Sequence, residues 1–318
     1  MINKKKIRAK GRLEQTDSLI NTFYRKFRKQ HGIPSRSESQ DIFPKLIHNL
    51  KFANHFLYKQ RKRTIKVWDD KTDLSILGNT ILVYLNSLSH RLWDLMYASL
   101  SLHREGNYLS SLIIQRMTYE TIAHSRFFFD KINEAMLNND EQKYTELIAI
   151  FVYSQEIIDE TFQDDVRVAN KFQKKSLPHI NDSLRYYKKV KKHTKKKESY
   201  SNKRIDNIYQ LLSQMSHPNA LGLIYFYASV DQETKNYNFS NKKKETLDKF
   251  YEYSEEMFEE LVNHCDFMKN FLSEYDQIND KFFKYLSKKT NNNARQYLIK
   301  LSKEHKKKLN LETEITIH

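Results

Sequence analysis

Arg116, Glu120 and His124 follow one another at steps of four, a spacing that lines three side chains along one face of a helix. An Arg and a Glu four residues apart can form an intrahelical ion pair. On a solvated face such a pair contributes only about 0.3–0.5 kcal/mol. On a stripe turned toward a core the charges are costly unless satisfied, and that setting marks a site. The sequence leaves both facings open. A second pattern runs Tyr209-Gln-Leu-Leu-Ser-Gln-Met-Ser-His217-Pro218-Asn219. The residue before a proline is pushed out of helical geometry, so His217 falls between two helices. Pro218 then opens the next helix, where free N–H groups and partial positive charge gather. That field disfavours imidazolium and keeps the ring neutral, as a general base requires. The same N–H groups can hold a phosphate. The plainer reading makes His217 a turn residue only. Ser213, one helical turn before His217, and His124 are possible supports for either role.

Several chemistries are excluded by what is missing. The five glycines are Gly11, Gly32, Gly78, Gly106 and Gly222. They form neither G-x-G-x-x-G nor a P-loop, nor a G-x-S-x-G nucleophile elbow. There is no Glu-x-x-His pair of the kind that builds carboxylate-bridged di-iron bundles. Glu120 with His124 and Glu260 with His264 have i,i+4 spacing, but two ligands without a matching pair make a poor metal site. No metal and no cofactor are expected.

The segments Leu102-x-x-Glu-Gly-Asn-Tyr108, Ile114-Gln-Arg116-Met-Thr-Tyr-Glu120 and Leu211-Leu-Ser-Gln-Met-Ser-His217-Pro218 resemble a group of uncharacterised bacterial helical proteins. In that group one helix ends near a Gly, the next carries Arg-x-x-x-Glu, and a later one ends in Ser-x-x-x-His-Pro. The group in turn resembles the HEPN superfamily of four-helix-bundle proteins. The resemblance spans roughly residues 74–230. It implies an RNA-directed function: many HEPN proteins are metal-independent ribonucleases of toxin–antitoxin and phage-defence systems, and others are non-catalytic binding or accessory domains. The active HEPN motif is an Arg, four to six residues, then a His. Here Leu211, Leu212 and Ser213 precede His217, and Arg116 and His124 are too far apart to match; Arg25 and His31 fit the spacing within a basic arm. Cleavage would therefore need Arg116 to meet His217 from a neighbouring helix. In that arrangement His217 serves as base, Glu120 or His124 as acid, and Arg116 stabilises the phosphorane.

Charge points toward the same class of partner. The chain is formally +16, and residues 1–12 carry six basic groups and no acid. Residues 171–204 carry 13 Lys and Arg against Asp182 and Glu198, a net +11. Concentrated charge makes a field that attracts RNA or another polyanion, whereas scattered lysines only solubilise. Arg185, Lys188, Lys189, Lys191, Lys192, Lys195, Lys196 and Lys197 would contact phosphates, and Tyr186 and Tyr187 would stack bases. A non-catalytic RNA- or nucleotide-binding domain would rely on the same residues 171–204; the competing reading is a dimeric interaction scaffold on which the lysines are only a solvated face.

The elements that must hold these residues read as helical. Nineteen Phe and 20 Tyr supply core area, while five Gly and four Pro are too few for a protein of tight hairpins. Leu74, Leu77, Ile81, Leu85, Leu88, Leu92, Leu95, Ser99 and Leu102 alternate steps of three and four, an a/d seam. Gly106 and Asn107 end that helix and start the next, over 108–133, as an antiparallel neighbour. Further helices are predicted over 13–30, 43–66, 140–171, 204–216 and 244–271, with a polar loop at 231–241 and a weaker helical tail at 282–308. The expected fold is all-α: a long antiparallel bundle with a HEPN-like core at 71–272, an N-terminal basic helical arm at 1–70 and a C-terminal helical tail at 273–318. A homodimer through the long helices is compatible with the seam. Cys265 is the one cysteine, and the longest apolar runs, 147–153 and 221–230, fall short of the roughly 20 residues that span a bilayer. No membrane insertion and a cytoplasmic, reducing compartment are expected.

Replacing Lys188, Lys189, Lys191 and Lys192 together by Gln is expected to flatten the dependence of RNA affinity on salt, because each phosphate contact adds about 0.7–0.9 to the log–log slope. An unchanged slope in filter binding across a salt series would assign this charge to solubility.

Overall fold

The computed structural model describes residues 2–30, 43–61, 73–151, 183, 185–186, 212–213, 229–230, 237–238, 244–288 and, further on, 296, 298–300 and 303. Among these the protein is all-α. Helices α1 (Ile2–Gln30), α2 (Phe43–Arg61), α3 (Asp73–Arg104), α4 (Tyr108–Leu137), α5 (Glu141–Phe151) and α6 (Lys244–Lys288) carry nearly all of the described chain. Two residues, Ser229–Val230 (β1), pair antiparallel with Tyr237–Asn238 (β2), Ser229 opposite Asn238 and Val230 opposite Tyr237. No described helix is long and apolar enough to cross a membrane.

The boundaries depart from the sequence expectation in several places, and Ser229–Val230, at the end of the helix expected from Pro218, form β1 instead. Helix α1 begins at Ile2 and not at Leu13; its first turns are rich in Lys, Arg and Ala, which are strong helix formers, so the basic residues before position 13 are helical. The stretch read as a polar loop at 231–241 includes the return strand β2. Helix α6 runs unbroken through 272–281, where two separate helices were expected. That decapeptide is polar in composition, but Phe271, Tyr275, Phe282 and Leu286 are all buried. Their spacing keeps one apolar stripe going, and neither Gly nor Pro interrupts it. The predicted helix over 140–171 is described as far as Phe151, and its remainder, like most of the helix predicted over 204–216, lies outside the described residues.

Two helix ends use the same stop signal. At the end of α3 the Asn107 N–H reaches the Leu102 carbonyl at 2.8 Å and the Gly106 N–H reaches His103 at 3.0 Å, with Gly106 at φ 80°. This is a Schellman motif, in which the left-handed residue lets two orphan carbonyls be met. At the end of α4 Asn139, at φ 54°, takes the glycine's place: Asp140 N–H bonds Ala135 and Asn139 N–H bonds Met136. Asp140 then caps α5 by accepting the Lys143 N–H on Oδ1 at 3.0 Å. Lys26 of α1 adds a charged cap to α3, its ammonium donating to the Arg104 carbonyl at 2.9 Å and to that of His103 at 3.4 Å.

The chain divides into two compact units. The first comprises 1–62, 89–122 and 188–266, and the second 63–88, 123–187 and 267–318. In the first, Phe23 of α1 meets the rings of His103, Tyr251 and Phe258 at 4.9–5.6 Å. Trp93 of α3 is buried and its indole donates to Asn54 Oδ1 of α2 at 2.8 Å. In the second, Tyr84 stands edge-on to Phe128, Phe129 tilts against Phe271, and Tyr144 packs on Phe282. Of the predicted α3 seam, Ile81, Leu85, Leu88, Leu92, Leu95 and Ser99 are buried. Their α4 partners descend as α3 ascends: Ser99 meets Ser111 and Arg91 meets Thr121 in the first unit.

His103 sits inside the first unit, stacked on Phe250 at 5.3 Å and 1% exposed. Its Nε2 lies 3.0 Å from the Tyr251 hydroxyl, and its Nδ1 has no hydrogen-bond partner. The tautomer that donates from Nε2 leaves only a lone pair unmet. Burial, reinforced by the Lys26 ammonium, pushes its pKa down from 6.5 to about 3. The unfolded chain therefore takes up a proton near pH 6.5 that the fold refuses until about pH 3, so stability is lost as pH falls through that window. The loss is at most about 1.4 kcal/mol per pH unit from this group. Urea titrations of wild type and His103→Gln across pH 7 to 4 are expected to show a shallower acid loss in the variant; parallel curves would remove His103 from the acid response.

Candidate functional site

Arg116 and Glu120 meet as the spacing predicts. Arg116 Nε donates to Glu120 Oε1 at 2.9 Å, with side-chain exposures of 21% and 25%. Neither side chain is fully solvated, so the pair lies between the two facings that the sequence left open. It stands on α4 within the first unit, where Gln115, one residue before Arg116, is buried and bonded to Ser254 of α6. That anchor turns position 115 inward and leaves 116 and 120 at the rim. A third group, which sequence reasoning missed, joins them from α3: Arg91, itself exposed, donates from Nε to Thr121 Oγ1 at 3.1 Å. Thr121 follows Glu120 directly, so α3 brings a second guanidinium to the neighbouring position on α4. No pattern in one strand of sequence reveals this, because it depends on the α3–α4 register.

The other predicted residues fall as follows. His124 contacts the basic segment at Ser183: its Nδ1 lies 3.3 Å from Ser183 Oγ. Burial lowers its pKa, which favours the neutral ring that a proton acceptor needs. Ser213 is helical and half-buried, next in the chain to the buried Leu212. His217 lies outside the described residues, as do Tyr187, Lys188, Lys189, Lys191, Lys192, Lys195, Lys196 and Lys197. Glu260 and His264 are both buried in α6. Among the described residues no three His, Cys, Asp or Glu side chains gather closely enough to hold a metal ion.

Arg185 and Tyr186 have different environments. Arg185 is exposed. Tyr186 is turned onto α4 in the second unit: its hydroxyl donates to Asp130 Oδ2 at 3.3 Å, and its ring stands edge-on to Phe127 at 5.0 Å. Arg126 donates from Nε to the same Asp130 oxygen at 2.8 Å while its guanidinium covers the Phe267 ring at 3.5 Å. Lys131 Nζ lies 5.3 Å from the Tyr186 ring centre. Burial first, then the Asp130 charge and hydrogen bond, push the Tyr186 phenol up to about 12. Tyr186 thus anchors the segment, with Ser183 as a second tether one turn earlier. Asp130 and Arg126 carry the same Arg-x-x-x-acid spacing that singles out Arg116 and Glu120, and they are the partners that hold Tyr186.

Comparison with protein families, with characterised proteins and with solved structures finds no match to this chain.

Tyr186→Phe removes the phenol–carboxylate bond and leaves the ring. A loss of about 1 kcal/mol of docking is expected to speed trypsin cleavage within 171–204 about fivefold where cleavage follows the open population, with little change in melting temperature. An unaltered cleavage rate would mean that Tyr186 does not hold the segment.

Proposed function

We propose that this chain is an RNA-directed protein that grips the phosphate backbone through residues 171–204. The observation that carries this reading is the net +11 of that segment, together with its attachment. Ser183 and Tyr186 face α4 while Arg185 points to solvent. A segment tethered at Ser183 and Tyr186 gives up less freedom on binding than a free tail. Lys188, Lys189, Lys191, Lys192, Lys195, Lys196 and Lys197 extend the contact, and Tyr187 stacks bases where the RNA is single-stranded. A HEPN-like bundle core carrying a basic arm and a helical tail belongs to the same proposal, resting on the sequence resemblance.

A second step is favoured by the partial burial of the Arg116–Glu120 pair. In this reading the protein is a metal-independent endoribonuclease of the toxin or phage-defence type. His217 removes the proton from the 2′-hydroxyl, whose oxygen attacks the adjacent phosphorus. Arg116, held in plane by Glu120, takes up the developing charge on the phosphorane. The departing 5′-oxygen takes its proton from Glu120 or His124, which must be in its protonated form when the substrate is bound, and a 2′,3′-cyclic phosphate remains. Without that chemistry the same surfaces make a non-catalytic RNA-binding domain or a dimeric scaffold.

Purified protein is expected to cut single-stranded RNA in the presence of EDTA and to leave a 2′-deoxy substrate whole. His217→Ala should abolish cleavage with folding and RNA affinity kept. Arg116→Ala should lower the rate by roughly 10²–10³, with Lys restoring only part because it lacks the planar fork. Glu120→Gln separates orientation of Arg116 from proton transfer by its pH–rate profile. Binding without cleavage would leave the RNA-binding reading standing and remove the catalytic one. Loss of fold in His217→Ala, with no cleavage by wild type, would make the His-Pro motif structural.

A further inference from the structure

We infer that the outer face of α2 is a stacking platform for the bases of single-stranded RNA. It is a contact additional to residues 171–204 and rests on the RNA-directed reading. Helix α2 packs through Leu50, Ala53, Asn54, Leu57 and Tyr58, all buried. At 3.6 residues per turn, positions 48, 52, 55, 56 and 59 fall on the opposite side, within an arc of about 100°. They carry His48, Phe52, His55, Phe56 and Lys59. His48, His55 and Lys59 are exposed, and Phe52 and Phe56 are half-buried. The two phenyl rings stack on each other, 6.1 Å between centres and 22° between planes. Single exposed apolar side chains are ordinary. Here two aromatic rings stand together on the side of the helix turned away from its core, with an imidazole on either side of Phe52 in the sequence. Phe and His are among the flat side chains on which unpaired bases stack.

The charge around the rings selects the partner. Helix α2 contains no Asp or Glu. Lys59 stands in the middle of the outer face and Lys51 at its edge, and among the described residues no carboxylate lies within ion-pair distance of either. The carboxylate that reaches this face is Asp17 of α1. Its Oδ1 accepts from Asn54 Nδ2 at 2.9 Å, and its Oδ2 lies 3.7 Å from His55 Nε2. Asp17 thus steadies one imidazole and leaves the two ammonium groups to a ligand. A purely apolar partner would strip water from those ammonium groups and give nothing back. A free phosphate would make no use of the rings. A strand that carries bases and phosphates together meets both, with bases on the ring faces and phosphates at the lysines. Phe52 and Phe56 are one helical turn apart, so neighbouring bases of one strand can use them in succession. A duplex cannot, because its bases are already stacked on one another.

The test uses the full chain. Affinity for a short unstructured oligoribonucleotide and for an RNA duplex of the same length is measured across a salt series. Wild type is compared with three double variants: Phe52→Leu with Phe56→Leu, Phe52→Tyr with Phe56→Tyr, and Lys51→Gln with Lys59→Gln. Leu keeps apolar bulk and helix propensity but removes the ring face. The Leu pair is expected to weaken single-strand binding roughly 10–100-fold, with the salt slope and duplex binding as in wild type. The Tyr pair keeps the ring faces and should keep the affinity, whatever the Leu pair does to melting temperature. The Lys pair should lower the single-strand salt slope by about 0.7 for each lysine. Undiminished single-strand binding by the Leu pair, equal losses on single strand and duplex, or equal losses in the Leu and Tyr pairs would overturn the platform. Phe52 and Phe56 would then be a packing pair, and the 171–204 reading would survive. A wild-type chain that binds neither RNA would remove the RNA-directed reading and the platform with it. A Leu pair that dissociates a dimer in sedimentation without RNA would overturn the platform by assigning the face to a second copy of the chain.

Discussion

Three helices of the first unit are locked together by one amide. Gln115 of α4 donates from Nε2 to Ser99 Oγ of α3 at 3.1 Å and to Ser254 Oγ of α6 at 2.9 Å. Ser111 Oγ donates to the Ser99 carbonyl at 2.9 Å and lies 3.0 Å from Ser99 Oγ. The protons can be assigned without conflict: Ser111 to the carbonyl, Ser99 to Ser111, and the two amide hydrogens to Ser99 and Ser254. A buried apolar seam alone tolerates sliding by a turn, because one Leu replaces another at the contact. A buried amide does not, since a shift leaves its donors dry at about 1–3 kcal/mol each. Everything on the outer face of α4 inherits that register. Position 115 is inward, so 116 and 120 reach the rim, and Arg91 of α3 arrives opposite Thr121.

The same reasoning explains what the sequence could and could not reveal. Helix α3 was legible because Ile81, Leu85, Leu88, Leu92 and Leu95 repeat at three and four, and its end because Gly106 permits a left-handed turn. The end of α4 at Asn139 was harder, because Asn takes that conformation less often than Gly. Helix α6 was cut short in the sequence reading because 272–281 is polar in sum. Tyr275, 1% exposed, carries the stripe alone across that gap. The ion pair of Arg116 with Glu120 was legible because both partners lie on one helix. The Gln115 network, the Arg91–Thr121 contact and the Tyr186 anchor were not, because each joins segments far apart in the chain. Periodicity gives a helix its faces but says nothing of which residue on another helix it will meet.

Arg116–Glu120 and Arg126–Asp130 show how little spacing says by itself. Both are Arg-x-x-x-acid pairs on α4 with near-ideal distances, 2.9 and 2.8 Å. In the second unit the guanidinium of Arg126 is spread over Phe267 and its carboxylate partner also receives a phenol. That pair is consumed in holding Tyr186, and its raised phenol pKa reports the same enclosure. Arg116 and Glu120, by contrast, pair with each other at the rim of the first unit, and the next residue, Thr121, accepts a hydrogen bond from Arg91 of α3. The same spacing thus serves a segment anchor in one unit and a half-exposed pair in the other.

Unmet polar atoms in this core differ in kind, and the difference decides what each implies. The Gln115 Oε1 and, in its Nε2–H tautomer, the His103 Nδ1 are neutral acceptors without donors. An acceptor lone pair left dry costs less than a donor, and each belongs to a side chain whose other nitrogen is well bonded. Both are explained as the residual cost of fixing helix register and of packing an imidazole among rings. Arg28 and Arg61 differ from these, because their unmet atoms, Nη2 of Arg28 and Nε and Nη1 of Arg61, are charged donors. Stacking on Trp93 positions the Arg61 guanidinium and lowers its energy by about 2 kcal/mol at most when desolvated, less than the several kcal/mol that removing an ion from water costs. Its enclosure is therefore a net cost, which the packing of α2 on Trp93 has to offset.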